Sequence, residues 1–365
     1  MKLFSPLTLG TLELPNRVVM APLTRVRSGE AGVPGDIVVE HYRQRATLGL
    51  IVSEGTYPSH AGRGFPGQPG LVTDAQLAGW KRVTDAVHAD GGRIVAQVMH
   101  AGRVTHPDTN GGYDVVAPSA IAIEGTTRTS TGTGKQPYPV PRALSTEELP
   151  GVIDEFVTAS RKAIDEAGFD GVELHGANGY LLHEFLSPES NQRNDGFGGS
   201  PEKRARFVID LVTAVAEKVG AEKVGLRISP AHNIQDALET GASDVHATYG
   251  TLVDAIAPLG LAYLSVLHAE PTGGLVQDLR ARFGGPVLIN SGFGVITNRE
   301  DAIAILEDGV GDAVVVGRPT IANPDLARRW RENLPENEPN PATFYSAGPE
   351  GYTDYPFYDG TVSSN

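Results

Sequence analysis

Cysteine is absent from this chain of 365 residues. Its absence excludes disulfides, thiolate zinc sites, cysteine nucleophiles and cysteine-ligated iron–sulfur clusters. It leaves the compartment open, because a cysteine-free protein folds in either redox environment.

Basic residues are also scarce. There are 30 Lys and Arg against 44 Asp and Glu, which gives a formal net charge of −14. Duplex DNA and anionic membranes select for basic patches, so the charge argues against both as main partners. No apolar run is long enough to span a bilayer, and the segment Met1–Pro6 lacks the apolar core of a signal peptide. We expect a cytoplasmic protein that binds neither nucleic acid nor membrane.

What the chain does have is a regular alternation of short apolar runs and helical patterns. Gly and Pro fall between the runs, where turns belong. Short runs rich in β-branched residues are typical of parallel strands that are buried on both faces. The predicted strands are Val18–Ala21, Leu50–Thr56, Arg93–His100, Gly171–His175, Val224–Ser229, Tyr263–His268, Pro286–Ser291 and Asp312–Gly317.

Helical patterns fill the gaps between most of these strands. Thr73 is a candidate N-cap, Ser145 and Glu148 have the spacing of a capping box, and Pro201 stands in the first turn after Ser200. The predicted helices are Thr73–Ala89, Ser145–Ala167, one opening at Ser200, Ser243–Ala257, Leu275–Phe283, Thr297–Glu307 and Asn323–Asn333.

Eight strand–helix alternations predict a single α/β domain, a (β/α)8 TIM barrel over residues 1–365. The rival is a doubly wound open sheet, which would carry a Gly-rich dinucleotide turn after its first strand. Here the first strand leads into Pro22-Leu23-Thr24, which favours the barrel. Residues 105–142 break the alternation after the third strand, and we expect them to form a flap-like insertion over the barrel mouth.

Catalytic groups of such barrels cluster at the carboxyl ends of the strands. The loops after strands seven and eight, Ser291–Gly294 and Gly317-Arg318, have the composition of a phosphate site, although glycines could simply turn the chain there. Arg227, if it faces a closed mouth, needs an anion or an acid such as Glu173, because an unpaired buried cation is costly. The amide of Gln97 suits the imide edge of a heterocycle.

A second group of polar residues lies in a window of six residues at the end of the fourth predicted strand. His175 and Asn178 are donors three residues apart that could converge on one oxygen, and Tyr180 is protonated at neutral pH and could deliver a proton. The alternative is a loop whose His and Asn only satisfy nearby backbone groups.

These residues, in this order, resemble the old yellow enzyme family of FMN-dependent ene-reductases, close to the branch of bacterial pentaerythritol tetranitrate and N-ethylmaleimide reductases. The resemblance covers essentially the whole chain. It rests on Asn16-Arg17, Met20–Arg25, His175–His183, Phe185–Pro188, Asn191, Arg193, Asp195, Gly198–Ser200, Gly317-Arg318, Ala322–Leu326 and Glu350–Pro356.

The resemblance implies an FMN site and a ping-pong reduction of α,β-unsaturated carbonyl compounds, and of nitro compounds, by NAD(P)H. His175 and Asn178 would hold the carbonyl or nitro oxygen, reduced FMN would deliver hydride from N5 to the β-carbon, and Tyr180 would protonate the α-carbon. The cofactor-binding residues it implies are Pro22, Leu23, Thr24, Gly55, Gln97, Arg227, Ser291, Gly292, Phe293, Gly317 and Arg318.

Three pocket positions are also implied, and two of them depart from the family. Met99 stands where many members carry Trp, and a flexible thioether should widen and soften that wall. Phe65 stands where Tyr is common, and Tyr345 matches a C-terminal Tyr that reaches toward the pocket. No metal is expected.

Two other functions fit parts of the pattern. A barrel that acts on a phosphorylated metabolite would use the same phosphate loops, but it needs a catalytic Lys or carboxylate at a strand end, where only Glu54 and Glu173 are placed. A non-catalytic flavin-binding scaffold would tolerate loss of the clamp or of Tyr180, and all three residues are present. The choice between NADPH and NADH, and between monomer and homodimer, stays open.

Overall fold

The computed structural model describes residues 1–130 and 134–360. Its centre is a closed barrel of eight parallel strands, each paired with its sequence neighbours and the last paired with the first. The barrel strands are β1 Val18–Met20, β2 Leu50–Val52, β3 Ile94–Val98, β4 Gly171–Gly176, β5 Val224–Ile228, β6 Tyr263–Leu267, β7 Val287–Asn290 and β8 Ala313–Val316. The predicted TIM barrel is confirmed, and the doubly wound alternative is wrong.

Helices join the strands on the outside of the barrel. They are α1 Asp36–Arg43, α2 Asp74–Ala89, α3 Pro107–Asn110, α4 Leu149–Asp165, α5 Leu181–Leu186, α6 Pro201–Val219, α7 Ala242–Ile256, α8 Gly274–Phe283, α9 Arg299–Glu307, α10 Arg318–Ala322 and α11 Leu326–Glu332. Helical turns of 3-10 type cover Lys2–Phe4, His60–Gly62, Ala221–Lys223, Ala257–Leu259 and Pro341–Thr343.

The first helix has no counterpart among the predicted ones. It is only eight residues long, and Gly35 precedes it without a side-chain cap, so its local start signal is weak and consists mainly of Asp36 in the first turn. Tertiary packing stabilises it instead: Val38 and Tyr42 are buried, and the Tyr42 hydroxyl accepts the backbone N–H of Glu54 at 2.9 Å.

Two predicted caps had different outcomes. Thr73 caps α2 and forms a capping box with Gln76, as a helix start there requires. The capping box predicted at Ser145 and Glu148 forms only in part: Glu148 Oε2 accepts the Ser145 N–H at 2.7 Å, but α4 begins at Leu149 rather than after Ser145. A helix capped by Ser145 would put Pro150 beyond its first turn, where the missing N–H and the ring are not tolerated.

The amino-terminal end of the barrel is closed. A hairpin of Leu7–Leu9 and Leu12–Leu14 packs its leucines against interior residues of β1, β2, β3 and β8. Its turn meets the segment before β5, where the Thr11 N–H donates to the Glu222 carbonyl. The barrel interior is therefore filled from below, and the carboxyl ends of the strands are left for a site.

The insertion after β3 contains two short strand pairs. Thr126–Arg128 pairs antiparallel with Lys135–Pro137, and Val116–Ala117 pairs parallel with Arg142–Ala143. The Glu124 N–H donates to the Asp236 carboxylate at 2.7 Å, so the insertion contacts the loop after β5. Residues 131–133, which the flap prediction included, lie outside the described residues. No described helix combines the length and apolarity needed to cross a membrane.

Candidate active site

A cavity of about 390 Å³ opens at the carboxyl ends of the barrel strands. It is the place where the strand-end residues singled out in the sequence meet. Its lining comprises Ala21, Pro22, Leu23, Thr24, Arg25, Gln97, Met99, His175, Asn178, Tyr180, Arg227, Ile234, Gln235, Asn290, Gly292, Phe293, Val295, Ile296, Thr297, Gly317, Arg318, Pro319, Ile321, Phe344 and Tyr345.

One wall stands on a polar layer inside the barrel, which we call the strand layer: Gln97, Glu173, Arg227, Tyr263 and Ser265. Strand register brings these residues together, since Glu173 is level with Gln97, and Arg227 with Ser265. Gln97 Nε2 donates to Glu173 Oε1 at 2.9 Å, and the Tyr263 hydroxyl donates to Oε2 at 3.1 Å. Burial raises the pKa of Glu173, while Arg227 and the two hydrogen bonds oppose that shift.

Arg227 is buried, yet it is not neutralised by an ion pair. Its Nη1 donates to Ser265 Oγ at 3.1 Å, and its Nε has no hydrogen-bond partner in the described part of the chain. Among those residues, no carboxylate oxygen lies within the 4.0 Å of an ion pair to Arg227, so the direct pairing with Glu173 is not formed. A buried guanidinium at the cavity wall with no carboxylate partner suits an anionic or carbonyl oxygen there.

Beside this layer lies what we call the clamp: His175, Asn178 and Tyr180, with His175 level with Arg227 in the barrel register. Burial and the nearby Arg227 hold the pKa of His175 well below its usual range, so its imidazole is neutral, and its Nδ1 has no partner among the described residues. Burial raises the pKa of Tyr180, so its hydroxyl keeps its proton. The two rings lie 5.1 Å apart.

Asn178 is held in an unusual backbone conformation. Its φ of 60° is left-handed, which Asn tolerates better than most residues. Its N–H donates to Ser229 Oγ at 2.9 Å, and Gln235 Nε2 donates to its carbonyl at 2.7 Å. The loop after β5 therefore fixes the clamp residue that leaves β4.

The loops after β7 and β8 meet at one end of the cavity. Gly292 has a φ of 88°, which favours glycine, and Arg318 Nη2 donates to the Phe293 carbonyl at 2.8 Å across the two loops. Gly292, Phe293, Gly317 and Arg318 all line the cavity. Backbone turns of this kind with an Arg fit a phosphate group.

Three residues predicted for the site lie outside the lining. Gly55 stands behind Met99, whose Sδ would be 2.6 Å from a Cβ added there. Ser291 is oriented toward Thr297, with 3.4 Å between the hydroxyl oxygens. Phe65 packs edge-on against Tyr180 with ring centres 6.3 Å apart, so it supports the clamp from behind.

Sequence reasoning missed part of the lining. Ile234 and Gln235 belong to the loop after β5, and their only signal is that they follow the strand that carries Arg227. Asn290 ends β7 and donates from Nδ2 to the Val315 carbonyl at 2.8 Å. Phe344 comes from the C-terminal segment, for which the sequence offered only its aromatic content.

A barrel that acts on a phosphorylated metabolite would need a catalytic acid, but both candidate acids form other contacts. Glu54 is buried, and its Oε2 accepts the N–H groups of Arg25 and Val26 at 2.9 Å each. Glu173 serves the strand layer, and neither acid lines the cavity. The described residues contain no group of three or more His, Cys, Asp or Glu that could hold a metal ion.

Comparison with known proteins agrees with this geometry. The model of the NADH:flavin oxidoreductase / NADH oxidase family matches residues 2–337. A relative in Leishmania infantum named "Probable flavin mononucleotide-dependent alkene reductase" is 41% identical over 362 residues, 97% of each chain.

Two solved structures share both fold and sequence. The old yellow enzyme homologue from Zymomonas mobilis has a TM-score of 0.91 and 39% identity, over 98% of this chain and 99% of its own. Morphinone reductase in complex with tetrahydroNAD has a TM-score of 0.91 and 44% identity, over 99% of this chain and 98% of its own.

Fold, cavity and relatives together define a barrel-type flavin-dependent oxidoreductase. The chain belongs to the NADH:flavin oxidoreductase / NADH oxidase family. The predicted old yellow enzyme resemblance, the enzyme class and the FMN cofactor are confirmed by these matches. The branch within the family and the role of each site residue stay predictions.

Proposed function

We propose that the chain reduces the C=C bond of α,β-unsaturated carbonyl compounds, and of nitro compounds, with NAD(P)H and FMN in the cavity at the carboxyl ends of the strands. The observation that carries the proposal is that the clamp and the strand layer lie side by side in one cavity, with His175 level with Arg227. Donors for an oxygen, a protonated phenol and a buried cation are the groups that this reaction needs.

The lining fits FMN. Because Gln97 Nε2 is committed to Glu173, its Oε1 is the end of the amide that remains for an N–H of the isoalloxazine. Arg227 would face the carbonyl where charge accumulates on reduction. Pro22, Leu23 and Thr24 would border the ring system, with Gly55 supporting it from behind Met99. The phosphate would lie against Gly292, Phe293, Gly317 and Arg318, with Ser291 just outside the lining.

Bound FMN would supply the redox chemistry, taking two electrons and a proton from NAD(P)H and passing them to the conjugated double bond. The clamp has three tasks. Neutral His175 and the Asn178 amide donate to the substrate oxygen and withdraw electron density from the double bond. The Tyr180 hydroxyl gives the second proton to the α-carbon and recovers one from water. Net consumption is one NAD(P)H and one proton for each C=C bond reduced.

The pocket wall supports bulky substrates. Met99 is unbranched and deformable, and Tyr345 at the mouth is 60% exposed, while Phe65 contributes only indirectly, through its ring contact with Tyr180. Morphinone reductase, with 44% identity, is named for a polycyclic ketone.

We place the reaction in the cytoplasm. The working unit is a monomer or homodimer of a single FMN-binding domain, in which residues 105–142 form a flap.

An anaerobic absorbance experiment tests this function. The purified protein is loaded with FMN, bleached anaerobically with NADPH or NADH, and then mixed with 2-cyclohexenone. Bleaching followed by return of the yellow bands is the expected result. A protein that does not take up FMN would contradict the proposal. So would one whose reduced flavin stays bleached after the enone is added.

A further inference from the structure

Asn178 has an amide with two different ends, and only one end suits the reaction. Its Nδ2 is a donor and its Oδ1 is an acceptor. A carbonyl oxygen of the substrate requires the donor, whereas an amide rotated by half a turn would point its oxygen at the substrate oxygen and repel it. Something must therefore fix which end of the amide faces the cavity.

His232 contacts the acceptor end. Its Nδ1 lies 3.2 Å from Asn178 Oδ1, within hydrogen-bond distance. Its own position is restrained on two sides: the His232 N–H donates to the Ser229 carbonyl at 3.1 Å, and the ring packs edge-on against Phe293 with centres 4.8 Å apart. His232 itself is absent from the cavity lining.

The ring of His232 is a neutral imidazole. Burial, with His183 and Arg227 nearby, lowers its pKa below the usual value. A neutral imidazole has one N–H and one bare nitrogen, so either tautomer is open to it. With the proton on Nδ1, the ring donates to Oδ1 and leaves Nδ2 for the cavity. With the proton on Nε2, the ring accepts and the amide is rotated.

We propose that His232 is a positioning residue for the clamp: it carries its proton on Nδ1, donates to Asn178 Oδ1 and thereby presents Asn178 Nδ2 to the substrate oxygen. This inference rests on the proposed function, since it assigns Asn178 to oxygen binding. The loop after β5 thus contributes three restraints to one residue, through Ser229 and Gln235 on the backbone and through His232 on the side chain.

A double-mutant cycle tests the proposal in the FMN-loaded full-length protein. The four proteins are the parent, H232F, N178A and H232F/N178A, and the probe is p-chlorophenol, whose binding is followed by the perturbed flavin absorbance. H232F keeps a ring against Phe293 but removes the donor. We expect it to weaken probe binding roughly tenfold in the parent and less than twofold in N178A, because its effect passes through Asn178.

Two further variants separate positioning from folding. In H232N the side-chain Nδ2 occupies the place of the imidazole Nδ1, so we expect binding within about threefold of the parent. H246F makes the same exchange at an exposed histidine of α7 and should bind the probe like the parent. A loss in H232F that is equal in both backgrounds, or is not rescued in H232N, would overturn the proposal.

The cycle also distinguishes this inference from the proposed function. If N178A binds p-chlorophenol as the parent does, the assignment of Asn178 to oxygen binding fails, and His232 loses its role with it. If N178A weakens binding while H232F does not, the clamp stands and the inference about His232 alone is wrong.

Discussion

The two polar walls of the cavity are built by different means. The strand layer lies on β3, β4, β5 and β6, where the barrel register sets each side chain level with its partner. The clamp begins at the end of β4 and continues into a loop, and Asn178, Ala231 and Gln235 have left-handed backbones with φ of 54–60°. The strand layer inherits its geometry from a regular sheet, and His175 shares that sheet at the end of β4, whereas Asn178 depends on side-chain bonds to a strained loop.

This difference assigns different tasks to the two walls. A sheet-held wall cannot adjust without breaking the barrel, which suits a cofactor that stays in place. A wall fixed by single hydrogen bonds can be altered by one substitution while the barrel stays intact. Changes in the clamp should therefore alter substrate steps, and changes in the strand layer should alter cofactor affinity and potential.

The largest expected effect is on the clamp. Tyr180→Phe removes the proton donor and keeps the ring against Phe65. We expect reoxidation of the reduced flavin by 2-cyclohexenone to slow by about 10²–10⁴-fold, the usual worth of a positioned general acid. Reduction by NAD(P)H should stay within about twofold. Stopped-flow absorbance measures the rates of the two half-reactions. Equal slowing of both would show that the clamp does not act on the substrate step alone.

A substitution in the strand layer should affect the cofactor first. Arg227→Gln removes the buried cation whose Nε lacks a partner. We expect FMN to bind about 10–100-fold more weakly, as for a lost hydrogen bond to a charged group. Equilibrium dialysis against FMN measures the affinity, and Arg161→Gln on the exposed face of α4 is the matched control. Unchanged FMN binding in Arg227→Gln would remove Arg227 from the cofactor site.

A subtler change tests the same layer without removing a contact to the cofactor. Glu173→Gln keeps the shape but deletes the carboxylate next to Gln97 and frees that amide to rotate. Less negative charge near the flavin should raise its midpoint potential by roughly 30 mV, which corresponds to about 1.4 kcal/mol for two electrons. Dye-equilibrated reduction of the FMN-loaded protein gives the potential. An unchanged or lowered value would contradict the electrostatic role of the layer.

The smallest expected effect is an absence of pH dependence in the clamp. The pKa of His175 is held well below 6.5 and that of Tyr180 is raised above 10, so neither residue changes charge between these limits. Binding of a neutral ketone such as cyclohexanone to the oxidised protein should therefore be constant from pH 6.5 to 9.5. A protonating His175 would instead tighten ketone binding as the pH falls, and absorbance titrations across this range would show it.

The sequence predicted the strand layer better than the loops. Gln97 and Arg227 could be placed at the cavity because strand ends of a barrel share one face. The contacts that restrain Asn178 could not, because Ser229, His232 and Gln235 lie in a loop with no periodic pattern. The missed helix α1 and the displaced start of α4 have different causes. The burial of Val38 and Tyr42 stabilises the short α1, whereas Pro150 sets the start of α4 although the spacing of Ser145 and Glu148 indicated an earlier one.

The most direct test of the account is a crystal structure of the FMN-loaded protein with p-chlorophenol bound. We predict the phenol oxygen within about 3.2 Å of both His175 and Asn178 Nδ2, with Asn178 Oδ1 still on His232. A phenol oxygen bound elsewhere in the cavity, or FMN seated away from Arg227 and Gln97, would contradict the division of the cavity into a cofactor wall and a substrate wall.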